Sequence, residues 1–215
     1  MKHTQMPKRI MMSTIGVIVC GAGVGLFKYA SFGVDPFQSS MGGLSAAIPI
    51  SFGLLYILVN ILLLSFSMVF DRSKIGIATF INLFLLGYVV DYSHKILLHF
   101  FPAPGMMSRV LVLILGLGVL AVSCSLYFAA DLGVSTYDAI GLVASQKWPR
   151  ISFKYFRIAT DLICVAIGVG LFLLSGNPLS EIGMVAGVGT IITAFCLGPM
   201  IEFCNVHISQ PILNS

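Results

Sequence analysis

Charged residues are scarce in this chain. Asp, Glu, Lys and Arg make up 9% of its 215 residues, while 58% of the residues are hydrophobic. A soluble domain carries about 25% charged residues, so this composition excludes a soluble globular fold. Basic residues outnumber acidic ones by 12 to 8, which gives a formal net charge of +4. That excess does not indicate a nucleic-acid partner, because membrane topology and anionic lipid account for basic residues beside apolar helices.

Motifs for catalysis and cofactor binding are also missing. The sequence has no phosphate-binding glycine loop and no nucleophile elbow, and its connections are too short for a soluble catalytic domain. The cysteines show no C-x-x-C spacing and mostly fall inside apolar stretches, which favours a packing role. They are Cys20, Cys124, Cys164, Cys196 and Cys204. A metal site at His94 and His99 is the alternative, with Asp91 as its one helpful neighbour. We therefore expect no enzyme activity, no cofactor and no resident metal.

Long apolar stretches, in contrast, are abundant. A membrane-spanning helix needs about 20 mainly apolar residues, and breaking the sequence at its charge clusters leaves six such stretches. They lie near 10–31, 52–70, 75–97, 109–130, 155–174 and 181–203. Charged residues intrude on the third and fifth stretches. The first resembles a signal peptide but has no clean cleavage site, so we expect it to be retained. The sequence predicts an all-α membrane protein with six transmembrane helices.

The chain repeats itself, half against half. Residues 26–45 recur as 126–145, and residues 76–91 recur as 187–202. The predicted units are therefore 1–107 and 108–215. Each contains three spans, an odd number, so the second unit must enter the membrane upside down relative to the first. This is an inverted-topology repeat, an architecture typical of transporters.

Basic residues predict the orientation, since positively charged loops stay cytoplasmic. One set of helix ends holds Lys2, Lys8, Arg9, Arg72, Lys74, Lys147, Arg150, Lys154 and Arg157. The other set holds Lys95 and Arg109, with Lys28 near the end of the first span. Both termini are therefore predicted to be cytoplasmic. The segments 71–74 and 147–154 should face the cytoplasm, and 35–50, 99–108 and 176–180 should face outward.

A short extra helix is predicted after the first span of each unit. Gly33 and Gly133 each follow a long apolar stretch, where a left-handed residue commonly ends a helix. Asp35 precedes Pro36, which together make a strong helix start, and Ser135 with its acidic third residue has the form of a capping box. The sequence predicts short helices at about 36–47 and 136–147. Re-entrant half-helices, interfacial helices and ordinary turn chemistry all remain open for them.

Polar residues at matching repeat positions are the candidate substrate pathway. Asn60 and Asp161 occupy the same position in the second helix of each unit, offset by 101 residues. On the third helices, a polar face predicted to turn away from lipid carries the rest of the set. These residues are Thr79 and Asn82, which match Thr190 and Thr193. In such a role, Asn82→Leu or Thr190→Val abolishes ligand binding and leaves stability nearly unchanged.

Structural interpretations compete with this pathway. Asp161 stands four residues after Arg157, so a surface ion pair near the cytoplasmic end explains it without function. The amide of Asn60 is equally suited to a hydrogen bond with a neighbouring helix. Lys28 lies near the outer end of the first span and is expected to snorkel to the interface, with a buried substrate contact as the alternative.

A family resemblance rests on the C-terminal motif GVGTIITAFCLGPMIEF, Gly187 to Phe203, and on the glycine-valine turn after the first helix of each unit. With these features the chain resembles the YczE/YitT group of uncharacterised bacterial membrane proteins, and most closely its YczE-like branch. The resemblance implies a multi-spanning protein of the bacterial cytoplasmic membrane. It supplies no functional residues and no substrate, and the long soluble C-terminal domain of YitT-type members is absent here.

Together these features predict a secondary transporter or permease for a small solute of unknown identity. One alternative is a substrate-binding membrane subunit of a multi-component vitamin or metal uptake transporter, since six spans also suit that role. Another is a non-transporting membrane assembly factor. The expected partners are membrane lipid and a small solute, with no nucleic acid, and the sequence leaves a homodimer open.

Overall fold

The computed structural model describes residues 6–50, 52–71, 75–102 and 105–214, and all regular structure within these ranges is helical. The long helices are α1 (Met6–Ala30), α3 (Phe52–Phe70), α4 (Ile77–Phe100), α5 (Met106–Ala130), α7 (Phe153–Leu174) and α8 (Val188–Cys204). The short ones are α2 (Pro36–Ala47), α6 (Thr136–Lys147) and α9 (Gln210–Asn214). A 3-10 helix, Leu179–Met184, precedes α8, and a π-helical turn, Asn205–Ser209, follows it. The all-α expectation is confirmed.

Within the described ranges, four helical segments are long and apolar enough to cross a membrane. They are Met6–Ala30, Met106–Ala130, Phe153–Leu174 and Leu179–Asn214. The apolar part of α3, Leu54–Phe70, is shorter, and α4 is 24 residues long but carries Asp91 and Lys95 in its second half. Helices thus occupy all six predicted places, while the number of spans stays a prediction. Parts of the topology prediction, residues 72–74 and 103–104, lie outside the described residues.

Helices α1 and α5 pack against each other through small residues at the centre of the molecule. A β-carbon added at Gly16 would lie 3.1 Å from the Tyr127 side chain, and one at Gly23 would lie 3.0 Å from Leu120. Missing side chains of this kind let two backbones approach closely. Phe27, Leu120 and Tyr127 are buried in the core that results.

Two arginines at equivalent positions link the ends of these two helices. Arg9 donates from Nη1 to the carbonyl oxygen of Ala130 at 3.0 Å, and Arg109 donates from Nε to the carbonyl oxygen of Ala30 at 2.7 Å. Carbonyl groups in the last turn of a helix have no partner within that helix. Each arginine therefore binds such a carbonyl at the end of the other helix. Because the start of each helix lies beside the end of the other, α1 and α5 run antiparallel.

The turns before the short helices are held by the opposite half of the chain. Gly33 and Gly133 have φ values of 111° and 99°, in the region that favours glycine. The hydroxyl of Thr190 donates to the carbonyl oxygen of Val34 at 2.6 Å, and that of Thr79 donates to the carbonyl oxygen of Val134 at 2.7 Å. We call these two reciprocal contacts the threonine interlock.

The short helices have the predicted bounds and the predicted caps. Asp35 accepts a hydrogen bond from the backbone N–H of Gln38 at 3.1 Å, and Ser135 accepts one from that of Asp138 at 3.0 Å. Helix α2 packs on α7 at Gly43, where an added β-carbon would overlap the carbonyl group of Gly168.

Candidate functional site

The first turns of α2 and α6 meet between the two halves of the chain. The rings of Phe37 and Tyr137 stack with centroids 5.1 Å apart and planes at 25°. These two residues are repeat equivalents, 100 positions apart. Phe37 also meets the ring of Tyr56 from α3 edge-on, at 6.0 Å.

A buried charge cluster lies beside this aromatic pair. Arg157 forms ion pairs with Asp138 through Nη1 and with Asp161 through Nε, the latter at 3.2 Å. The three residues expose 7%, 5% and 0% of their surface. The guanidinium of Arg157 also lies over the ring of Tyr137, 4.7 Å from its centroid. The predicted ion pair between Arg157 and Asp161 is confirmed, but its predicted surface location is wrong, since packing of α2 and α6 against α7 covers both side chains.

Hydroxyl groups complete the coordination of the two carboxylates. Asp138 accepts hydrogen bonds from Tyr127 and from Ser135, the latter at 2.5 Å. Asp161 accepts one from Tyr137, also at 2.5 Å. Of the predicted capping box, the Ser135 cap forms, whereas the Asp138 carboxylate binds side chains of the cluster instead.

Asn60 extends the network across the two halves. Its Oδ1 accepts a hydrogen bond from the hydroxyl of Thr136 at 2.6 Å, and its Nδ2 donates to the carbonyl oxygen of Tyr56 at 2.8 Å. The side chain is buried, with 6% of its surface exposed. Asn60 and its repeat equivalent Asp161 therefore both bind the first turn of α6.

A cavity of about 560 Å³ opens beside the cluster and is lined by both halves of the chain. Its polar lining consists of Lys28, Asp35, Gln38, Asn60, Asn82, Asp91, Ser135, Thr136, Asp138 and Arg157. Its aromatic lining consists of Phe37, Tyr56, Tyr127 and Tyr137. Pockets of roughly 300–1,000 Å³ are typical of sites for small molecules. We call this space the central cavity.

An ion pair lies at another part of the cavity wall. Lys28 Nζ is 3.4 Å from an Asp91 carboxylate oxygen, and the two side chains are 38% and 68% exposed. Pairs this exposed contribute about 0–1 kcal/mol. The structure therefore gives Lys28 a charged partner, Asp91, which the sequence does not predict.

An apolar groove of about 380 Å³ adjoins the central cavity. Residues of α2, α3, α6 and α7 line it, among them Met41, Leu63 and Ile167. Phe37 and Tyr137 line both spaces. The stacked pair thus lies between a polar cavity and an apolar groove, and we call it the stacked aromatic partition.

The structure brings together part of the residue set singled out from the sequence. Asn60 and Asn82 line the central cavity, and so do the two helix caps Asp35 and Ser135. Asp161 lies behind Arg157 and contacts the cavity through that side chain.

The three candidate threonines lie elsewhere. Thr79 and Thr190 form the threonine interlock. Thr193 donates to carbonyl oxygens of its own helix, those of Gly189 and Thr190, both at 2.9 Å. None of the three is among the residues that line the central cavity, and their part in a substrate pathway stays a prediction.

Four cluster residues are not among the site residues predicted from the sequence, although the repeat carries a signal for them. Each is a hydroxyl-bearing or charged residue whose counterpart in the first unit lacks that group or that charge. The pairs are Phe27 and Tyr127, Phe37 and Tyr137, Gln38 and Asp138, and Tyr56 and Arg157. Differences between the two halves, more than their similarities, mark the site.

Metal ligands do not assemble within the part of the chain that the structure describes. No three His, Cys, Asp or Glu residues there come close enough to hold an ion. His94 and His99, the alternative metal site, both lie in α4.

Comparison with known proteins identifies relatives along nearly the whole chain. Residues 7–206 match the model of a family described as "Family of unknown function (DUF6198)". The chain is 22% identical over 205 residues to the uncharacterized protein YyaS of Bacillus subtilis, covering 95% of this chain and 94% of that protein. It is 24% identical over 192 residues to the uncharacterized membrane protein YczE of the same organism, covering 87% and 81%.

A third relative comes from Haemophilus influenzae. This uncharacterized protein is 21% identical over 198 residues, which cover 91% of this chain and 83% of the relative. No solved structure matches the chain. The resemblance to YczE-like proteins is confirmed.

Proposed function

From the premise that this chain belongs to the DUF6198 family, whose function is unknown, we propose that it is a secondary transporter or permease for a small solute. It is an integral membrane protein with several helices apolar enough to span a bilayer. The proposal places it in the bacterial cytoplasmic membrane with both termini on the cytoplasmic side. It acts without enzymatic chemistry.

The observation that carries the proposal is the buried cluster of Arg157, Asp138 and Asp161, of which Arg157 and Asp138 line the central cavity. Ionisable groups within membrane segments are costly, and they typically mark substrate or ion pathways. A purely structural ion cluster would be expected to be closed off by packing. Asp138 and Arg157 instead contribute to the lining of a cavity large enough for a small solute.

Six spans in two inverted units are part of the proposal. The antiparallel contact of α1 with α5, closed by Arg9 and Arg109, supports it. The threonine interlock supports it as well, because equivalent residues of the two halves make the same contact with each other's turns. A twofold axis in the membrane plane, relating Asn60 to Asp161, accounts for both observations.

The short helices α2 and α6 are proposed to be re-entrant. Each has 12 residues, about 18 Å of helix, which is too short to cross a bilayer core of about 30 Å. The contact between Phe37 and Tyr137 brings their first turns together beside the charge cluster. Helix ends directed at a substrate site in this way are a feature of transporters with inverted repeats.

Alternating access would then operate through the stacked aromatic partition. Phe37 belongs to the first unit and Tyr137 to the second, so rocking of one unit against the other would separate their rings. The solute would be bound in the central cavity while the rings are stacked and released on the other side when they part.

Reconstitution of the purified full-length protein into liposomes tests this function. Counterflow of a radiolabelled solute, chosen from a thermal-shift screen, should exceed that of empty liposomes. Arg157→Lys should reduce it at least about tenfold, because an ammonium cannot reproduce the two-sided contact of the guanidinium. Arg150→Lys is the matched control, since Arg150 is exposed, and it should transport like the wild type.

The alternative functions have distinct signatures in the same preparation. Co-purification of an ATPase and a scaffold subunit, with no counterflow by the isolated protein, would favour the uptake-complex subunit. Recovery of a single protein client, with neither counterflow nor solute binding, would favour the assembly factor. Either result would contradict an autonomous transporter.

A further inference from the structure

The charges around the central cavity do not balance. Three carboxylates, those of Asp35, Asp138 and Asp161, face a single guanidinium, that of Arg157. The remaining lining pair, Lys28 and Asp91, is neutral as a unit. With all of these groups ionised, the side chains leave two negative charges without a positive partner.

The ends of the short helices offset part of this excess. A helix N-terminus acts as about half a positive elementary charge, so α2 and α6 together contribute about one. Their capping N–H groups already have acceptors, because Asp35 binds Gln38 and Ser135 binds Asp138. An incoming anion would therefore have to displace side chains of the protein. About one negative charge remains.

Asp35 is the carboxylate that carries the remaining charge. Asp138 and Asp161 share Arg157, whereas the ion pairs of the described ranges do not include Asp35. Its hydrogen bonds come from backbone amides, those of Gln38 and Phe37. A charge of this kind in a membrane interior is costly unless a cation or a proton neutralises it.

Aromatic rings beside Asp35 suit a particular kind of cation. Phe37 and Tyr56 line the same cavity and meet edge to face at 6.0 Å. Ring faces attract organic cations, and cages of aromatic residues recognise alkylammonium groups. The cluster already contains one such contact, between Arg157 and Tyr137. A metal ion is less well matched, because no three His, Cys, Asp or Glu residues assemble in the part of the chain that the structure describes.

We propose that the central cavity binds a small organic monocation, with its ammonium or guanidinium group between the carboxylate of Asp35 and the rings of Phe37 and Tyr56. The inference rests on the proposed function and names its substrate class. Such a solute neutralises the remaining charge and places its apolar part against the aromatic lining.

Binding to the purified full-length protein tests this directly. The probes are choline, tetramethylammonium and methylguanidinium, and 3,3-dimethylbutan-1-ol is the neutral isostere of choline. At least one cation should raise the melting temperature in a saturable manner, and the neutral isostere should not. Failure of all three cations, or equal stabilisation by the neutral isostere, would overturn the proposal.

Variants locate the site. Asp35→Asn keeps a good helix cap but removes the charge, and it should weaken cation binding at least about tenfold. Tyr56→Leu should weaken it roughly threefold or more through loss of the cation–π contact. Asp131→Asn is the matched control, because Asp131 is exposed, is absent from the cavity lining, and has a left-handed φ of 52° that Asn tolerates. Unchanged affinity in Asp35→Asn would place the cation elsewhere and refute the assignment.

A proton bound to Asp35 is the alternative to an organic cation, and the same binding experiment distinguishes the two. In that case the organic cations have no effect, and acidification stabilises the wild type but not Asp35→Asn, which contradicts the proposal. Transport is measured independently. Cation binding without counterflow would refute the transporter function but support the cation site. Counterflow of a neutral or anionic solute would support the transporter function but refute the cation site.

Discussion

Arg157 determines the character of the site at the scale of single residues. Its guanidinium holds two buried carboxylates and lies over Tyr137. The sequence could not show this burial, because an arginine four residues before an aspartate has the same spacing on a surface helix as on a buried one. The repeat does single the residue out, since its counterpart in the first unit is the uncharged Tyr56.

Asn82 and Thr190 are equally polar in the sequence, yet the structure gives them different surroundings. Asn82→Leu should abolish solute binding and change stability by less than about 0.5 kcal/mol, because its side chain lines the central cavity. Thr190→Val should destabilise the protein by about 1–3 kcal/mol, since the carbonyl of Val34 loses its donor. Solute binding should survive this change. Melting curves and binding isotherms of both variants measure the two effects.

Thr79→Val is the matched control at the equivalent contact of the first unit, and its loss of stability should be similar. If Thr190→Val instead lost binding with normal stability, the threonine face would belong to the pathway as the sequence predicts.

Among the elements, the short helices show what local sequence predicts and what it does not. Their bounds follow from the caps Asp35 and Ser135 and from Pro36, all of which act within one turn. The meeting of their first turns does not follow from local sequence. It depends on α2 packing on α7 at Gly43, a contact between residues more than 100 positions apart.

Gly43 and Gly42 are neighbours in α2 that should respond oppositely to alanine. Gly43→Ala should destabilise the protein by about 1–3 kcal/mol or more, because the new methyl would overlap the carbonyl group of Gly168. Gly42→Ala places its methyl 3.6 Å from Val185, an ordinary contact, so it should be neutral or stabilising by up to about 1 kcal/mol. Thermal unfolding in one detergent compares the two, and equal melting temperatures would show that the α2–α7 contact is looser than described.

For the whole molecule, reciprocity between the halves is the dominant feature. The repeat in the sequence predicts two equivalent units, and both the antiparallel α1–α5 contact and the threonine interlock are compatible with inversion. Apolarity alone is less informative for α4, because its cavity-lining residues Asn82 and Asp91 lower the hydropathy of the helix. A membrane-spanning helix that lines a polar cavity is therefore harder to recognise from its hydropathy.

Topology is the prediction at this scale. On a cysteine-free background, Arg150→Cys should resist an impermeant thiol reagent in intact cells and react after permeabilisation. Asn177→Cys, on the opposite side, should react in intact cells. Both residues lie in connections between helices, and neither side chain is fully buried. Labelling of position 150 in intact cells would reject the orientation based on basic residues.

The two arginine contacts between α1 and α5, from Arg9 and Arg109, also affect how the protein folds during synthesis. The carbonyl oxygen of Ala30, at the end of α1, has its hydrogen-bond donor in Arg109, which is synthesised 79 residues later. During synthesis, the first unit alone therefore lacks the donor for this helix end. Residues 1–107 expressed alone should therefore be removed by quality-control proteases, and co-expression with 108–215 should let both pieces accumulate, as immunoblots of membranes would measure. Assembly of the two units is then the step that protects the chain from degradation in the cell.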